Sequence, residues 1–187
     1  LRSEGLVRRD TMLFINSIAS VCLPREDSEY IESRWHELCR QMVIEITEEE
    51  EINHEALEAK RHVPGFSGMF ALDDYGSGYS NGSSLLTIAP RYVKVDISII
   101  RSIDTNTDKQ QFLTSLVDYA RPRNILVLAE GVETTAELRK VLELGVDLLQ
   151  GYCLAPPAAE PGAIDEKAAE VIAEVERQKA EREEAGS

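Results

Sequence analysis

Seven polar side chains recur at the ends of short apolar runs: Asn16, Glu45, Asp73, Asp74, Lys94, Glu130 and Gln150. Four of them are carboxylates. Gathered in one place, Glu45, Asp73, Asp74 and Glu130 would repel one another and raise each other's pKa values, and hard divalent cations are the natural resolution. Oxygen donors from Asp, Glu and the Asn16 amide suit Mg²⁺ or Mn²⁺, and the lack of His or Cys at these positions argues against zinc. Two such ions about 3.5 to 4 Å apart are a known arrangement for phosphodiester hydrolysis, activating water and stabilising charge on the phosphoryl oxygens. Lys94, within Val93-Lys-Val-Asp96, would add a compact positive charge from an apolar strand. One carboxylate at a strand end is more often a cap or a solvated loop residue. Seven polar positions recurring together are harder to explain that way.

The elements that must position these groups alternate. Met12-Leu-Phe-Ile-Asn-Ser reads as a buried strand, with Asp27 and Ser28 offering a cap for the helix that follows. From Ser28 to Arg40, Tyr30, Ile31, Trp35 and Leu38 recur at helical spacing, so Tyr30 and Trp35 are expected in the core. Then come the strand Met42-Val-Ile-Glu-Ile-Thr, a polar helix near Glu55 to Arg61, a turn at Pro64-Gly65 and the strand Met69-Phe-Ala-Leu-Asp-Asp. A glycine-rich loop leads to Tyr92-Val-Lys-Val-Asp, a helix from Asp108 to Tyr119, and the wholly apolar Ile125-Leu-Val-Leu-Ala of a strand covered on both sides. Thr134-Thr-Ala-Glu137 fits a capping box, Gly145 stops that helix, and Leu148-Leu-Gln-Gly-Tyr is the last strand.

About six strand-helix units in series imply a parallel α/β fold, doubly wound or barrel. A polar group at every strand's C-terminal end favours the barrel, whose active face collects residues from all strands, whereas a doubly wound sheet uses only those around a switch point.

Composition narrows the partners. With 20 basic and 34 acidic residues the net charge is −14, which disfavours nucleic acid and anionic membrane. A phosphorylated ligand would then need local positive charge, such as bound cations. No apolar run approaches the roughly 18 residues of a membrane span, and no signal-peptide core is present, so a cytoplasmic setting is expected. Cys22, Cys39 and Cys153 show no metal-binding or disulfide spacing. His36, His54 and His62 lie on predicted helices or their edges, away from the strand ends, and carry no assigned role.

Asp73-Asp-Tyr-Gly-Ser-Gly-Tyr-Ser80, Val93-Lys-Val-Asp96, Ala129-Glu-Gly-Val-Glu-Thr134 and Gln150-Gly-Tyr152, preceded by Phe14-Ile-Asn-Ser17 and Ile44-Glu-Ile-Thr-Glu48, resemble the successive signatures of the EAL domain family. The resemblance runs from Met12 to Pro157. It implies a (β/α)₈ TIM-type barrel that hydrolyses cyclic di-GMP to linear pGpG with Mg²⁺ or Mn²⁺ in bacterial second-messenger signalling. It implies Asn16, Glu45 and Asp73 as metal ligands, Asp74 and Glu130 serving a second ion, and Lys94 holding the water. Gln150 would complete the site, Glu133 would contact guanine, and Glu48 would brace the loop that starts at Asp73.

The family's first two strands, with the Glu-Ala-Leu that names it, belong upstream of Asn16, where only eleven residues precede Met12. The barrel is therefore expected to be incomplete and one metal ligand short, which disfavours hydrolysis by this chain alone. Glu55-Ala-Leu57 spells the same letters inside a polar helix and is a coincidence. The expected layout is a leader remnant over 1–10, the barrel segment over 11–160, and a final helix and charged tail over 161–187 that frays into solvent. An open barrel would associate with a second copy or with an upstream GGDEF or sensory domain. The alternative reading is a degenerate module that binds cyclic di-GMP or a protein partner without catalysis.

Overall fold

The computed structural model describes residues 11–18, 20–21, 24–47, 53–63, 66, 68–78, 83–160 and 162–185. The leader 1–10, Cys22, Glu48 and the Pro64-Gly65 turn lie outside them. The chain forms two compact units, residues 1–93 and 94–187, with the division falling inside one strand.

The first unit holds β1 (Leu13–Asn16), α1 (Arg25–Cys39), β2 (Met42–Thr47), α2 (His54–Arg61), β3 (Met69–Tyr75) and α3 (Ser83–Ile88), and it ends on the first half of β4 (Tyr92–Val95). β1 pairs with β2, and β2 with β3, in parallel. β2, β3 and β4 read as apolar runs because they are covered on both faces, with Val43, Ile46, Phe70, Ala71, Leu72 and Val93 all at most 1% exposed, whereas Ile15 of β1 is 39% exposed. Phe14 meets Tyr92 edge to face, with ring centroids 5.1 Å apart.

Two sequence expectations fail in α1. The helix begins at Arg25, directly after Pro24, and not at an Asp27 or Ser28 cap; Ser28 lies inside it and donates its hydroxyl to the Pro24 carbonyl. Tyr30 and Trp35 are 61% and 47% exposed, not core residues. The helix also breaks at Trp35 (φ −129°, ψ 18°), so residues before and after it share no single stripe. Trp35 turns toward solvent, where the Arg34 guanidinium lies 5.9 Å from its ring. In α2, Asn53 caps the Glu55 and Ala56 amides, and Ala56 and Leu57 are buried while Glu55 is exposed, so Glu55-Ala-Leu57 serves helix packing.

The second unit opens on the rest of β4, then α4 (Ile97–Ile100), α5 (Thr107–Ala120), β5 (Leu126–Ala129), α6 (Thr135–Glu143), β6 (Leu148–Leu149) and α7 (Glu166–Ala185). β5 and β6 pair in parallel, and strand order follows chain order throughout. The short helices α3 and α4 escape sequence periodicity because four to six residues span fewer than two turns. β6 is shorter than its apolar run implied, since Gln150 and Gly151 already turn toward the loop after β5. α7 runs to Ala185, packs Ala168 and Val175 inward, and ties Glu174 to Arg139 at 2.6 Å.

The capping box of α6 forms as its sequence implied, with Thr134 and Glu137 satisfying each other's backbone amides. Burial would raise the Glu137 pKa, but the amides of Ser102, Glu133 and Thr134 and the Thr134 hydroxyl outweigh it and hold the carboxyl below its usual range. A depressed folded-state pKa adds stability above the unfolded value and loses it as pH falls through the folded value. The Glu137 contribution is therefore complete above about pH 4.3 and disappears at lower pH. Acid unfolding followed by circular dichroism should shift less with pH in Glu137→Gln than in the wild type. Leu57→Ala should cost about 2–5 kcal/mol in urea unfolding by opening a core cavity, and Trp35→Ala no more than about 1 kcal/mol.

Candidate functional site

In the first unit, strand register decides which side chains face together. Asn16 is the register partner of Glu45, Glu45 of Ala71, and Thr47 of Asp73. Side chains alternate along a strand and partners on adjacent strands point the same way, so Asn16, Glu45 and Asp73 share one face near the C-terminal ends of three consecutive strands. Glu45 and Asp73 are 6% and 8% exposed, while Asn16 lies open. Three oxygen donors on one face, two of them buried carboxylates and none of them nitrogen or sulfur, fit a hard divalent cation.

Asp74 follows Asp73 directly, and regular alternation would send it to the opposite face. Its φ of +54° breaks that alternation, and carboxylate oxygens of Asp73 and Asp74 lie within 4.8 Å of each other. Asp tolerates this left-handed conformation better than most residues because its short polar side chain bonds locally.

In the second unit, Lys94 stands on the buried strand β4, and Glu130 follows the last residue of β5. The Lys94 Nζ lies 3.0 Å from Glu130 Oε1, with the two side chains only 9% and 15% exposed. The Glu130 amide donates to the Val95 carbonyl at 3.1 Å, the Gln150 amide to Ala129 at 2.8 Å, and the Val132 amide to Gln150 at 3.0 Å. These bonds stitch the loop after β5 between the ends of β4 and β6. Two glycines permit the close approach. A Cβ on Gly131, at φ +65°, would lie 2.3 Å from Ile97 Cγ1, and one on Gly151 would lie 2.2 Å from the Val132 carbonyl oxygen.

Glu133 is more open, and its carboxylate accepts from Arg101 Nη2 at 3.1 Å. Gln150 is exposed at the end of β6. Nothing in sequence spacing foretold Arg101 as the partner of Glu133, because the two are 32 residues apart and on different elements. Asp96, read as part of the lysine motif, caps α4 by accepting from the Ser98 amide at 2.8 Å. His54 and His62 are exposed on and beside α2, Cys39 is buried and Cys153 half-buried. His36 belongs to α1. Among the described residues no helix is long and apolar enough to cross a membrane.

An α/β fold with parallel strands and polar groups at the strand ends defines the class, and comparison with known proteins defines the family. A model of the EAL domain matches residues 16–157, and the chain belongs to the EAL domain family. Over 119 residues it is 33% identical to the cyclic di-GMP phosphodiesterase PdeF of Escherichia coli K12, covering 63% of this chain and 16% of that protein. Over 120 residues it is 33% identical to the probable cyclic di-GMP phosphodiesterase PdeG of the same organism, covering 62% and 23%. The chain thus spans less than a quarter of either relative's length. Among solved structures it resembles a standalone EAL protein of Vibrio cholerae O395 in its c-di-GMP-bound form (TM-score 0.69, 26% identity, 84% of this chain and 70% of that one). It also resembles Klebsiella pneumoniae BlrP1 in a manganese and cy-diGMP complex (TM-score 0.64, 30% identity, 79% and 39%). The fold is the family's (β/α)₈ TIM-type barrel in incomplete form, with six strands among the described residues.

Lys94 and Glu130 form a nearly buried ion pair, so removing one partner takes a compensating charge away from the other. Lys94→Met should cost about 3 kcal/mol, and pairing it with Glu130→Leu should recover most of that loss in a double-mutant unfolding cycle.

Proposed function

We propose that the protein to which this chain belongs recognises cyclic di-GMP and hydrolyses it to linear pGpG in a divalent-metal-dependent reaction. The observation that carries this reading is the row of Asn16, Glu45 and Asp73, three oxygen donors facing together from three register-locked strands. Names and bound ligands of the relatives support the substrate class.

In this reading Asn16, Glu45 and Asp73 hold one ion, Mg²⁺ or Mn²⁺, and Asp74 and Glu130 serve a second. When bound, such ions lower the pKa of water and neutralise charge on the phosphoryl oxygens. Lys94 keeps a positive charge beside Glu130 and orients the attacking water through its ammonium protons, which a compact, strongly hydrated group does well. Glu133 and Gln150 contact the nucleotide from the loop after β5 and the end of β6. The unpaired Cys39 and Cys153 and the acidic charge support a cytoplasmic setting. Association with a second copy, or with a GGDEF or sensory domain of the same protein, belongs to the same proposal.

The test titrates cyclic di-GMP into the chain with Mn²⁺ or Mg²⁺ by calorimetry and follows pGpG by chromatography, on this chain and on the longer protein. Saturable binding by the chain and pGpG release by the longer protein are expected, and Asp73→Asn should lower affinity for Mn²⁺ at least about tenfold. Binding without release by either would instead establish a non-hydrolysing receptor. Absence of both would overturn the proposal.

A further inference from the structure

Glu137 makes more bonds than a helix cap requires. A capping box needs its carboxylate to accept from the Thr134 amide, which Oε2 does at 3.0 Å. The same oxygen also accepts from the Glu133 amide at 3.1 Å, and Oε1 accepts from the Ser102 amide at 2.8 Å, on a turn 35 residues away in sequence. The side chain is 5% exposed, so three backbone donors satisfy a carboxylate that burial would otherwise disfavour.

The Ser102 turn is shaped to offer that amide. Ser102 has a φ of +60°, unusual for a residue with a Cβ. The turn is held from its other side as well. Lys109 Nζ donates to the Ser98 and Arg101 carbonyls, both at 2.6 Å, and Gln110 Nε2 donates to Ile103 at 2.8 Å and Asp104 at 3.2 Å. Arg101, on this turn, is the residue whose guanidinium reaches Glu133. One buried carboxylate therefore joins the turn that carries Arg101 to the loop that carries Glu130 and Glu133.

We infer that Glu137 is a positioning residue for nucleotide recognition, locking the Glu130–Thr134 loop and the Arg101–Ser102 turn into one arrangement. The inference rests on the proposed recognition of cyclic di-GMP. Glu137 need not touch the nucleotide: its effect passes through the backbone of Glu133 and the turn under Arg101, much as outer hydrogen bonds orient the ligands of a metal.

The decisive variant is Glu137→Gln. Gln serves in capping boxes, so its one carbonyl oxygen keeps the α6 cap, while its amide nitrogen cannot accept from Ser102. Amide exchange read by NMR should speed up at Ser102 and stay slow in α6. Calorimetric affinity for cyclic di-GMP in the presence of Mn²⁺ should fall about tenfold. Val175→Ala, which removes a buried contact of α7, should lower the melting temperature and leave affinity unchanged, a result that separates positioning from general destabilisation. Wild-type affinity in Glu137→Gln alongside fast Ser102 exchange would overturn the inference while leaving the functional reading intact. An equal loss of affinity in Val175→Ala would overturn it too. If the wild-type chain binds no nucleotide this inference falls, and if the longer protein also neither binds nor hydrolyses it the functional reading falls as well. Should Glu137→Gln not fold, Lys109→Met loosens the same turn from its other side, and unchanged affinity there is also fatal.

Discussion

Register between parallel strands is the constraint on which the first unit depends. Asn16 and Glu45 are partners across β1 and β2, and Glu45 and Ala71 across β2 and β3, which puts Asp73 on the same face one step further along. A slip of one residue would turn Glu45 to the opposite face, away from Asn16 and Asp73 and among apolar residues alone. Apolar neighbours surround the row on both faces: Val43 and Ala71 lie on the Glu45 side and Ile46, Phe70 and Leu72 on the other, all almost wholly buried. The same packing that stabilises the strands thus presents the oxygen donors.

The second unit relies on a different device. Its loop after β5 carries Glu130 and Glu133 and is short, so backbone hydrogen bonds to Val95 and Gln150 and two glycine contacts define its path. Side chains on that loop hold their places through the backbone beneath them. Glu137 gathers the amides of that loop and of the Ser102 turn, and Lys109 and Gln110 hold the turn from below. The pair Lys94 and Glu130 sits where neither charge is well hydrated, which strengthens their attraction and makes each dependent on the other.

Much of this was legible from residue types. Apolar runs bounded by polar residues located all six strands, because strands covered on both faces must be continuously apolar. Thr134 and Glu137 announced their helix start, since a capping box is a local contact between residues three apart. The failures came where local pattern and tertiary packing diverge. Tyr30 and Trp35 matched a helical stripe, yet both are exposed and the helix breaks at Trp35, while Glu174 of α7 is tied to Arg139 of a neighbouring helix.

By itself the sequence determined the kinds of groups available and the elements that carry them: carboxylates and a lysine at strand ends, glycines where the chain turns, and motifs in the order of the EAL family. These follow from composition and from periods of two and 3.6 residues, which are properties of neighbours along the chain. Only the tertiary structure decided that Asp74 leaves the alternation of β3 and brings its carboxylate within 4.8 Å of Asp73. It alone paired Arg101 with Glu133 and tied Glu137 to Ser102. Those outcomes depend on a backbone angle set by packing and on contacts 32 and 35 residues apart in sequence, and no local pattern encodes either.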